Sequence, residues 1–291
     1  MPGEVEKGLA VSEARAVLRT LIYGYAQTQL LRAAARLRIA DLLAAGPQSL
    51  MDLAAQTGVK HELLHRLLNG LAANDVVAQD AHGRYGLTPI GDGLREDAPD
   101  SLATFAILSG EEYYRAWLGL DLHARDDRTP FERVFDAPVF DWLAQHPESD
   151  DRFNRRMATR IMAYAPAVAA ACDLSEAQRI VDVGGGHGML LATFLQRWPA
   201  ARGVLFDLPG AATAGAARLA AAGLADRVDV VGGDFFLEDL PAGGDVYLLS
   251  QILHDWDDAR SKDILRNIRR VIDPAGRLLI VEMLMPERVE G

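Results

Sequence analysis

The segment Ile180-Val-Asp-Val-Gly-Gly-Gly-His-Gly-Met189 constrains the fold more than any other part of the sequence. A short β-branched run contains an acidic residue, four glycines follow within five positions, and an apolar, helix-like run extends to Trp198. A turn so rich in glycine lets a ligand approach the backbone where any Cβ would collide with it. A strand, a glycine turn and a helix in this order hold a nucleotide in α/β folds. The segment therefore predicts an α/β domain with a nucleotide site.

The length, charge and cysteine content limit the classes of protein to consider. With 291 residues the chain has room for about two domains, and a net charge of −11 argues against a partner that is nucleic acid. The single cysteine, Cys172, excludes an intrachain disulfide and fits a reducing compartment. The first 30 residues lack a signal-peptide pattern, and no apolar run reaches about 18 residues. We therefore expect a cytoplasmic protein without a membrane partner.

Residues 12–175 are rich in alanine and leucine at helical spacing, which predicts a helical region. Within it, helices over 39–45, 49–57 and 61–74 and a hairpin over 76–87 form the pattern of a winged helix. Residues 96–176 are interpreted as a helical bridge with one face available to a pocket, including helical stretches over 131–143 and 153–170. The predicted domains are a winged-helix-like domain over 1–100, the bridge over 101–176 and a nucleotide-binding domain over 177–291.

From residue 178 onward, strands and helices are expected to alternate. The predicted strands are 179–184, 202–207, 228–232, 244–250 and 277–284, and the predicted helices are 188–198, 210–223 and 258–272. Alternation at this spacing predicts a parallel sheet with helices on both faces, as in a Rossmann-like domain.

Two nucleotides compete for the glycine loop. A nicotinamide site has the pattern Gly-x-Gly-x-x-Gly, in which alanine can replace the last glycine. Counted from Gly184, that last position is Met189, and methionine is too large for the close packing required there. The observed spacing, with Asp182 before Gly184, Gly186 and Gly188, is nearer to the loop that binds S-adenosylmethionine (SAM). The spacing favours SAM.

The ends of the next two strands carry suitable partners for SAM. Asp207 lies about 20 residues beyond the loop, where a carboxylate accepts hydrogen bonds from both ribose hydroxyls. Asp234 and Phe235 follow the third strand, where an acid suits the adenine amino group and a ring suits the base face. These residues together support a SAM site better than any one alone.

His254 and Glu282 are the candidate catalytic pair. His254 follows the fourth strand, and histidine takes up a proton near neutral pH, as methyl transfer to a phenol requires. Glu282 ends an apolar strand, where a carboxylate is costly without a partner, and we expect it to hold a His254 ring nitrogen. Asp255, Asp257 and Asp258 suit the N-terminus of the next helix. The histidines show no metal-ligand spacing, so we predict no metal site.

The chain resembles the small-molecule O-methyltransferases, the family that includes the caffeate, isoflavone and bacterial polyketide O-methyltransferases. The matching segments extend over most of the chain from about residue 15, and they are Asp182-Val-Gly-Gly-Gly-His-Gly, Phe206-Asp-Leu-Pro, Gly233-Asp-Phe-Phe, Leu253-His-Asp-Trp-Asp-Asp and Val281-Glu-Met-Leu-Met-Pro. The resemblance implies a winged-helix region that forms a homodimer, a class I methyltransferase domain and methyl transfer from SAM to an aromatic or polyketide hydroxyl.

The resemblance also implies roles for individual residues. His254 would be the general base and Glu282 would orient it. The cofactor-binding residues would be Asp182, Gly184, Gly186, Asp207, Leu208, Asp234, Phe235 and Ser250. The acceptor pocket would include Phe153, Asn154, Met157 and Asp255, with Trp142 and Met162 as weaker candidates.

Two features of this chain depart from the family pattern. Many relatives have a basic residue four positions before the histidine, where this chain has Ser250. The family also continues into an antiparallel hairpin that completes the sheet, whereas this sequence stops at Gly291, just after the fifth strand. We therefore expect the sequence to be a fragment of a longer polypeptide, with the fifth strand as an apolar edge.

Two other functions stay open at this point. Some relatives bind SAM without methylating and carry out decarboxylation, hydroxylation or pericyclic chemistry, although a retained base and acid favour methyl transfer. A winged helix also suits a DNA-binding regulator. Residues 30–95 carry seven basic against six acidic side chains, however, and the would-be recognition helix is apolar at Leu63, Leu64, Leu67 and Leu68. Such a helix suits a dimer interface better than DNA.

Overall fold

The structure is a computed structural model that describes residues 11–123 and 128–284. It forms two compact units, Met1–Phe153 and Asn154–Gly291. The elements up to the boundary between the units are α1 (Val11–Ile22), α2 (Gly24–Arg36), α3 (Ile39–Leu43), α4 (Leu50–Thr57), α5 (His61–Ala72), β1 (Val77–Gln79), β2 (Tyr85–Leu87), α6 (Pro89–Asp92), α7 (Ala103–Gly110), α8 (Glu112–Ala116), α9 (Leu120–His123), α10 (Pro130–Phe135), α11 (Val139–Ala144) and α12 (Pro147–Ala171), within which the boundary falls.

The predicted helix–hairpin pattern is present in the first unit. Ser49 caps α4 by accepting a hydrogen bond from the Asp52 amide at 3.2 Å, and Gly58 ends the helix with a φ of 70°. Strands β1 and β2 pair antiparallel, with Val77 opposite Leu87. The apolar core beneath them includes Leu53, Leu64, Leu68 and Leu71, all fully buried. Helix α5 therefore directs three of its leucines inward.

The helical stretch expected over 131–143 is not one helix. Thr129 and Glu132 form a capping box that starts α10, which ends at Phe135. Asp136 then adopts a left-handed φ of 56°, and Pro138 precedes α11. A left-handed residue followed by a proline cannot continue a helix, which explains the break. The expected helix over 153–170 lies wholly within α12.

The second unit continues with alternating strands and helices. They are β3 (Arg179–Val183), α13 (Met189–Arg197), β4 (Arg202–Asp207), α14 (Pro209–Ala221), β5 (Val228–Gly232), β6 (Val246–Ser250), α15 (Asp258–Val271) and β7 (Arg277–Val281). Each predicted strand and helix of this region is confirmed to within a few residues at its ends.

The five strands form one sheet in the order β5-β4-β3-β6-β7, and every pair is parallel. The chain leaves β3 toward β4 on one side, and it leaves β6 toward β7 on the other. The carboxyl ends of β3 and β6 therefore flank the point at which the strand order reverses, where open α/β sheets bind ligands.

Both faces of the sheet are covered by apolar side chains. Along β3, Ile180 faces one core and Val181 faces the other, and the neighbouring β6 alternates in the same way at Tyr247 and Leu248. Leucines of α13 fill the first core, whereas Ile264 of α15 fills the second. This double burial is why the strands are almost continuously apolar and why an acid within them needs explanation.

Candidate active site

The glycine loop after β3 is shaped by positions that exclude side chains. Gly184, Gly186 and Gly188 adopt left-handed φ values of 69°, 55° and 71°. A Cβ at Gly185 would lie 2.6 Å from the Asp182 Cγ and from the Leu205 Cδ1. The loop therefore folds directly over Asp182 and admits no larger residue there.

The loop is open to a ligand at Gly186. A Cβ built at Gly186 would meet no heavy atom within 4 Å, whereas one at Gly184 would lie 2.5 Å from the Ile252 Cδ1. The Gly186 amide donates a hydrogen bond to the Asp207 Oδ2 at 2.6 Å. The backbone at Gly186 is thus fixed in place and unobstructed on one side, which fits a cradle for a nucleoside.

Asp182 is sealed beneath the loop. It is 1% exposed, and among the residues that the structure describes its carboxylate has no hydrogen bond of good geometry, although the Leu191 amide interacts with it weakly. Burial, together with the negative charge of Asp207, raises the pKa of Asp182 to about 7. Asp182 therefore supports the loop from below at an energetic cost to its ionised form.

Asp207 and Leu208 follow the neighbouring strand, β4. The Asp207 Oδ1 accepts a hydrogen bond from the Leu208 amide at 2.7 Å, while its Oδ2 contacts the loop. Leu208, not Asp207, is the residue that precedes the first turn of α14. The structure thus joins these two predicted residues to the glycine loop, and the expected contact between Asp207 and a ribose stays a prediction.

Asp234 and Phe235 follow β5 and reach the same edge. The Phe235 Cε1 would lie 3.7 Å from a Cβ at Gly184, and the Asn267 side chain donates a hydrogen bond to the Phe235 carbonyl at 2.9 Å. The Asp234 Oδ1 accepts a hydrogen bond from the Phe236 amide at 2.8 Å. An aromatic ring and a carboxylate beside an open glycine backbone are the groups that an adenosyl moiety needs, so the residues present fit SAM.

His254 and Glu282 lie in contact after β6 and β7. The His254 Nδ1 is 2.8 Å from the Glu282 Oε2. The other carboxylate oxygen, Oε1, accepts hydrogen bonds from the Ile252 and Leu253 amides, each at 3.0 Å. Glu282 is therefore satisfied on both oxygens, as expected for an acid in an apolar strand, and it holds the imidazole through one of them.

Gln251 turns the chain between β6 and the histidine, and sequence reasoning missed it. This residue is 7% exposed and has a φ of 59°, which is strained for a side chain other than glycine. The Gln251 backbone amide donates a hydrogen bond to the Val281 carbonyl at 2.9 Å. The left-handed turn is what directs the next two amides toward Glu282.

Asp255 lies on the opposite side of the imidazole. Its Oδ1 is 3.4 Å from the His254 Nε2. Burial raises the pKa of Asp255, and the positive charges of His254 and Arg160 oppose that rise. Asp257 is the residue that caps α15, since its Oδ1 accepts a hydrogen bond from the Arg260 amide at 2.8 Å. The assignment of Asp255 to the acceptor pocket stays a prediction.

Tyr164 is a second residue that sequence reasoning missed. Its hydroxyl lies 2.9 Å from the Ser250 Oγ, at the position where the family pattern predicts a basic residue. Burial raises the pKa of Tyr164. Tyr164 follows Met157 by seven residues, and this helical spacing was the available signal.

The predicted acceptor residues are divided between the units. Phe153 belongs to the first unit, where its ring makes an edge contact with Phe140 at 6.1 Å. Asn154 and Met157 belong to the second unit, and both are partly buried. Their role in binding an acceptor stays a prediction.

Residues 11–123 and 128–284 contain neither a metal-binding group of side chains nor a helix suited to span a membrane. They contain no group of three or more histidine, cysteine, aspartate or glutamate side chains that could hold a metal ion. Within the same residues, no helix combines the length and apolar character that crossing a membrane requires.

A parallel sheet with an open glycine loop, acidic residues at successive strand ends and a histidine–glutamate pair beside them defines a class I, SAM-dependent methyltransferase. Residues 117–291 match the O-methyltransferase domain family, and residues 20–96 match the O-methyltransferase dimerisation domain. The chain belongs to this O-methyltransferase family and is a SAM-dependent methyltransferase of secondary metabolism. The resemblance, the fold class and the cofactor SAM are thereby confirmed, and the dimerisation domain supports a homodimer.

Known relatives cover nearly all of the chain. It is 47% identical over 274 residues to the phenazine O-methyltransferase PhzM of Lysobacter antibioticus, covering 94% of this chain and 80% of that protein. The crystal structure of LaPhzM superposes with a TM-score of 0.92 at 46% identity, covering 96% of this chain and 83% of the other. The O-methyltransferase NcsB1 from neocarzinostatin biosynthesis, solved with SAM and 2-hydroxy-5-methyl naphthoic acid, superposes with a TM-score of 0.79 at 32% identity, covering 88% and 79%.

Proposed function

We propose that this protein transfers the methyl group of SAM to a hydroxyl of an aromatic or polyketide-type secondary metabolite, with His254 as the general base. The observation that carries the proposal is the 2.8 Å contact between the His254 Nδ1 and the Glu282 Oε2. Because Oε1 is already bound by two backbone amides, the carboxylate is fixed and can only accept from the imidazole. Glu282 is the residue that orients the base.

The contact favours one tautomer of His254. With the proton on Nδ1 donated to Glu282, the lone pair is on Nε2, which is the atom that takes the hydroxyl proton of the acceptor. The imidazolium formed in this way lies between two carboxylates, since Asp255 is 3.4 Å from Nε2. Both acids stabilise the positive charge that develops on His254 during the transfer.

When bound, SAM would supply a methyl group on a positively charged sulfur, whose methyl carbon the acceptor oxygen would attack while the neutral thioether of S-adenosylhomocysteine leaves. The residues proposed to hold SAM are Gly184, Gly186, Asp207, Leu208, Asp234, Phe235 and Ser250, and the buried Asp182 supports the glycine loop from below. Gly184 and Gly186 contribute by having no side chain, and Phe235 by offering a ring face. Asp207 fixes the loop amide of Gly186, and its carboxylate is the acceptor proposed for a ribose hydroxyl.

Transfer to nitrogen is the principal competing chemistry. Among the relatives, 8-amino-8-demethylriboflavin N,N-dimethyltransferase of Streptomyces davaonensis is 36% identical over 265 residues. A neutral arylamine attacks through its own lone pair and has less need of a base, whereas a phenol becomes a good nucleophile only as its proton leaves. The His254–Glu282 pair therefore favours a hydroxyl acceptor.

The test is methyl transfer to a panel of phenolic and arylamine acceptors, followed by mass spectrometry of the products. We expect O-methylated products and a rate that falls about 10²–10⁴-fold in His254→Gln, the usual range for losing a general base. His82→Gln is the matched control, because His82 is exposed on the hairpin of the first unit. An unchanged rate in His254→Gln, or products methylated solely on nitrogen, would contradict the proposal.

A further inference from the structure

Arg160 lies on the face of α12 that contributes Tyr164 to the site. It precedes Tyr164 by one helical turn and follows Met157 by three residues, so the three side chains form one stripe along the helix. Tyr164 ties this stripe to the end of β6 through its 2.9 Å contact with Ser250. Arg160 is thereby brought to the segment that leads to His254.

Arg160 has no ion-pair or hydrogen-bond partner among the residues that the structure describes, although it is partly buried. Arg152, two turns earlier, shows the usual arrangement, since its guanidinium lies 3.1 Å from the Glu112 Oε1. The Arg160 guanidinium is not among the buried and unpartnered nitrogen groups of the described residues, so it stays accessible to an incoming anion. An accessible, unpaired guanidinium at this position is suited to bind the anionic group of a ligand.

The surroundings of Arg160 are acidic. Burial raises the pKa values of Tyr164 and Asp255, and the positive charge of Arg160 opposes both rises, as expected for a cation near these two groups. Glu282 contributes a further negative charge there, which raises both pKa values. An anionic acceptor approaching His254 would be repelled by Asp255 and Glu282, and Arg160 is positioned to offset that repulsion.

On the basis of the proposed function, we propose that Arg160 binds a carboxylate carried by the acceptor, so that the preferred substrates are hydroxylated aryl carboxylates. A guanidinium binds a carboxylate through two parallel hydrogen bonds, which would fix the ring as well as attract it. The acceptor hydroxyl would then face the Nε2 of His254. Arg160 determines acceptor specificity in this account and takes no part in the proton transfer.

The methionine carboxylate of SAM is the other source of such an anion. Binding of S-adenosylhomocysteine (SAH) distinguishes the two sources, because SAH carries the same methionine carboxylate as SAM. Loss of SAH affinity in an Arg160 variant would assign the guanidinium to the cofactor. Loss of discrimination between acceptors, with SAH affinity intact, would assign it to the acceptor.

The experiment is calorimetric titration of the SAH-saturated protein with 3-hydroxy-2-naphthoate and with its uncharged carboxamide. We expect the wild-type protein to bind the carboxylate about 10- to 100-fold more tightly than the amide. Arg160→Gln should remove this preference while leaving the affinities for the amide and for SAH within about threefold, which also shows that the variant is folded. Arg160→Lys should restore part of the preference, because it returns the charge without the planar fork.

Arg155→Gln is the matched control, because Arg155 is exposed on a different face of the same helix. It should keep the full preference for the carboxylate. Three results would overturn the inference: no preference in the wild-type protein, a preference that survives in Arg160→Gln, or a variant whose main defect is SAH binding. None of these measurements requires methyl transfer, so the inference and the proposed function fail separately.

Discussion

The glycine loop after β3 and the segment after β6 flank the point at which the strand order reverses, and they are built in opposite ways. After β3, the loop is defined by side chains that are absent, since a Cβ at Gly185 would collide with Asp182 and one at Gly186 would occupy open space. After β6, the segment is defined by side chains that hold one another, with His254 bound to Glu282 at 2.8 Å. A site for a large cofactor needs room along the backbone, whereas a base needs a fixed partner.

Both segments use the left-handed backbone region, and they use it differently. Gly186 adopts a φ of 55° without strain, and the space beside its backbone is open. Gln251 adopts a φ of 59° with a buried side chain, at a cost of about 1 kcal/mol or more. The strain at Gln251 is offset by the two amide hydrogen bonds to Glu282 that the turn makes possible. Backbone strain is therefore found on the side of the His254–Glu282 pair.

The largest expected effect comes from breaking the histidine pair with Glu282→Gln. An amide has one acceptor oxygen, which cannot serve the Ile252 and Leu253 amides and also the His254 Nδ1–H. The imidazole would then change tautomer or lose its orientation, and we expect turnover to fall about 10²–10⁴-fold. Steady-state rates would show this, with SAH affinity within about threefold of wild type.

The control for that variant is Glu176→Gln, a substitution of the same kind at an exposed position in the same unit. It should leave the turnover unchanged. Full activity of Glu282→Gln would mean that the contact seen in the structure does not orient the base.

The next effect concerns the acid sealed under the glycine loop. Because the pKa of Asp182 is raised to about 7, folding favours its protonated form. The contribution of this group to stability is fully present below its unfolded pKa of about 4 and is lost as the pH rises through about 7. Asp182→Asn cannot ionise and should escape this loss.

Urea unfolding at pH 5 and pH 8 measures the effect. Relative to wild type, Asp182→Asn should gain about 2–3 kcal/mol in unfolding free energy between the two pH values. A difference between the two proteins that does not change with pH would show that Asp182 is ionised at no cost in the folded protein.

The smallest expected effect comes from adding one methyl group to the loop. In Gly185→Ala the new Cβ would lie 2.6 Å from the Asp182 Oδ2, so the loop must move, and we expect SAH affinity to fall about 10- to 100-fold. Gly210→Ala adds the same methyl group where no atom lies within 4 Å, and should leave the affinity unchanged. Isothermal titration with SAH distinguishes them, and equal affinities would contradict the crowding at Gly185.

The residues around the glycine loop could be predicted from the sequence for a physical reason. Carboxyl ends of parallel strands meet at one edge, so Asp207 and Asp234 could be predicted to lie near the glycine loop. The pairing of His254 with Glu282 could also be predicted, because an acid in an apolar strand needs a partner.

The remaining residues depend on packing that periodicity does not determine. Tyr164 and Arg160 lie on a helix whose orientation about its own axis is set by tertiary contacts, so the sequence does not show which face meets β6. The turn at Gln251 gives no signal either, because glutamine rarely adopts a left-handed φ. The break at Asp136 was missed because the apolar spacing continued across it.

On the proposed mechanism, His254 and Glu282 act as one unit, separate from the binding of SAM. The most direct measurement is a double-mutant cycle of single-turnover rates for His254→Gln, Glu282→Gln and their combination, with SAH affinity measured on each protein. We predict that the combined variant is no slower than His254→Gln alone, and that SAH affinity stays within about threefold throughout. Rate losses that multiply in the combined variant, or a parallel loss of SAH binding, would contradict the account.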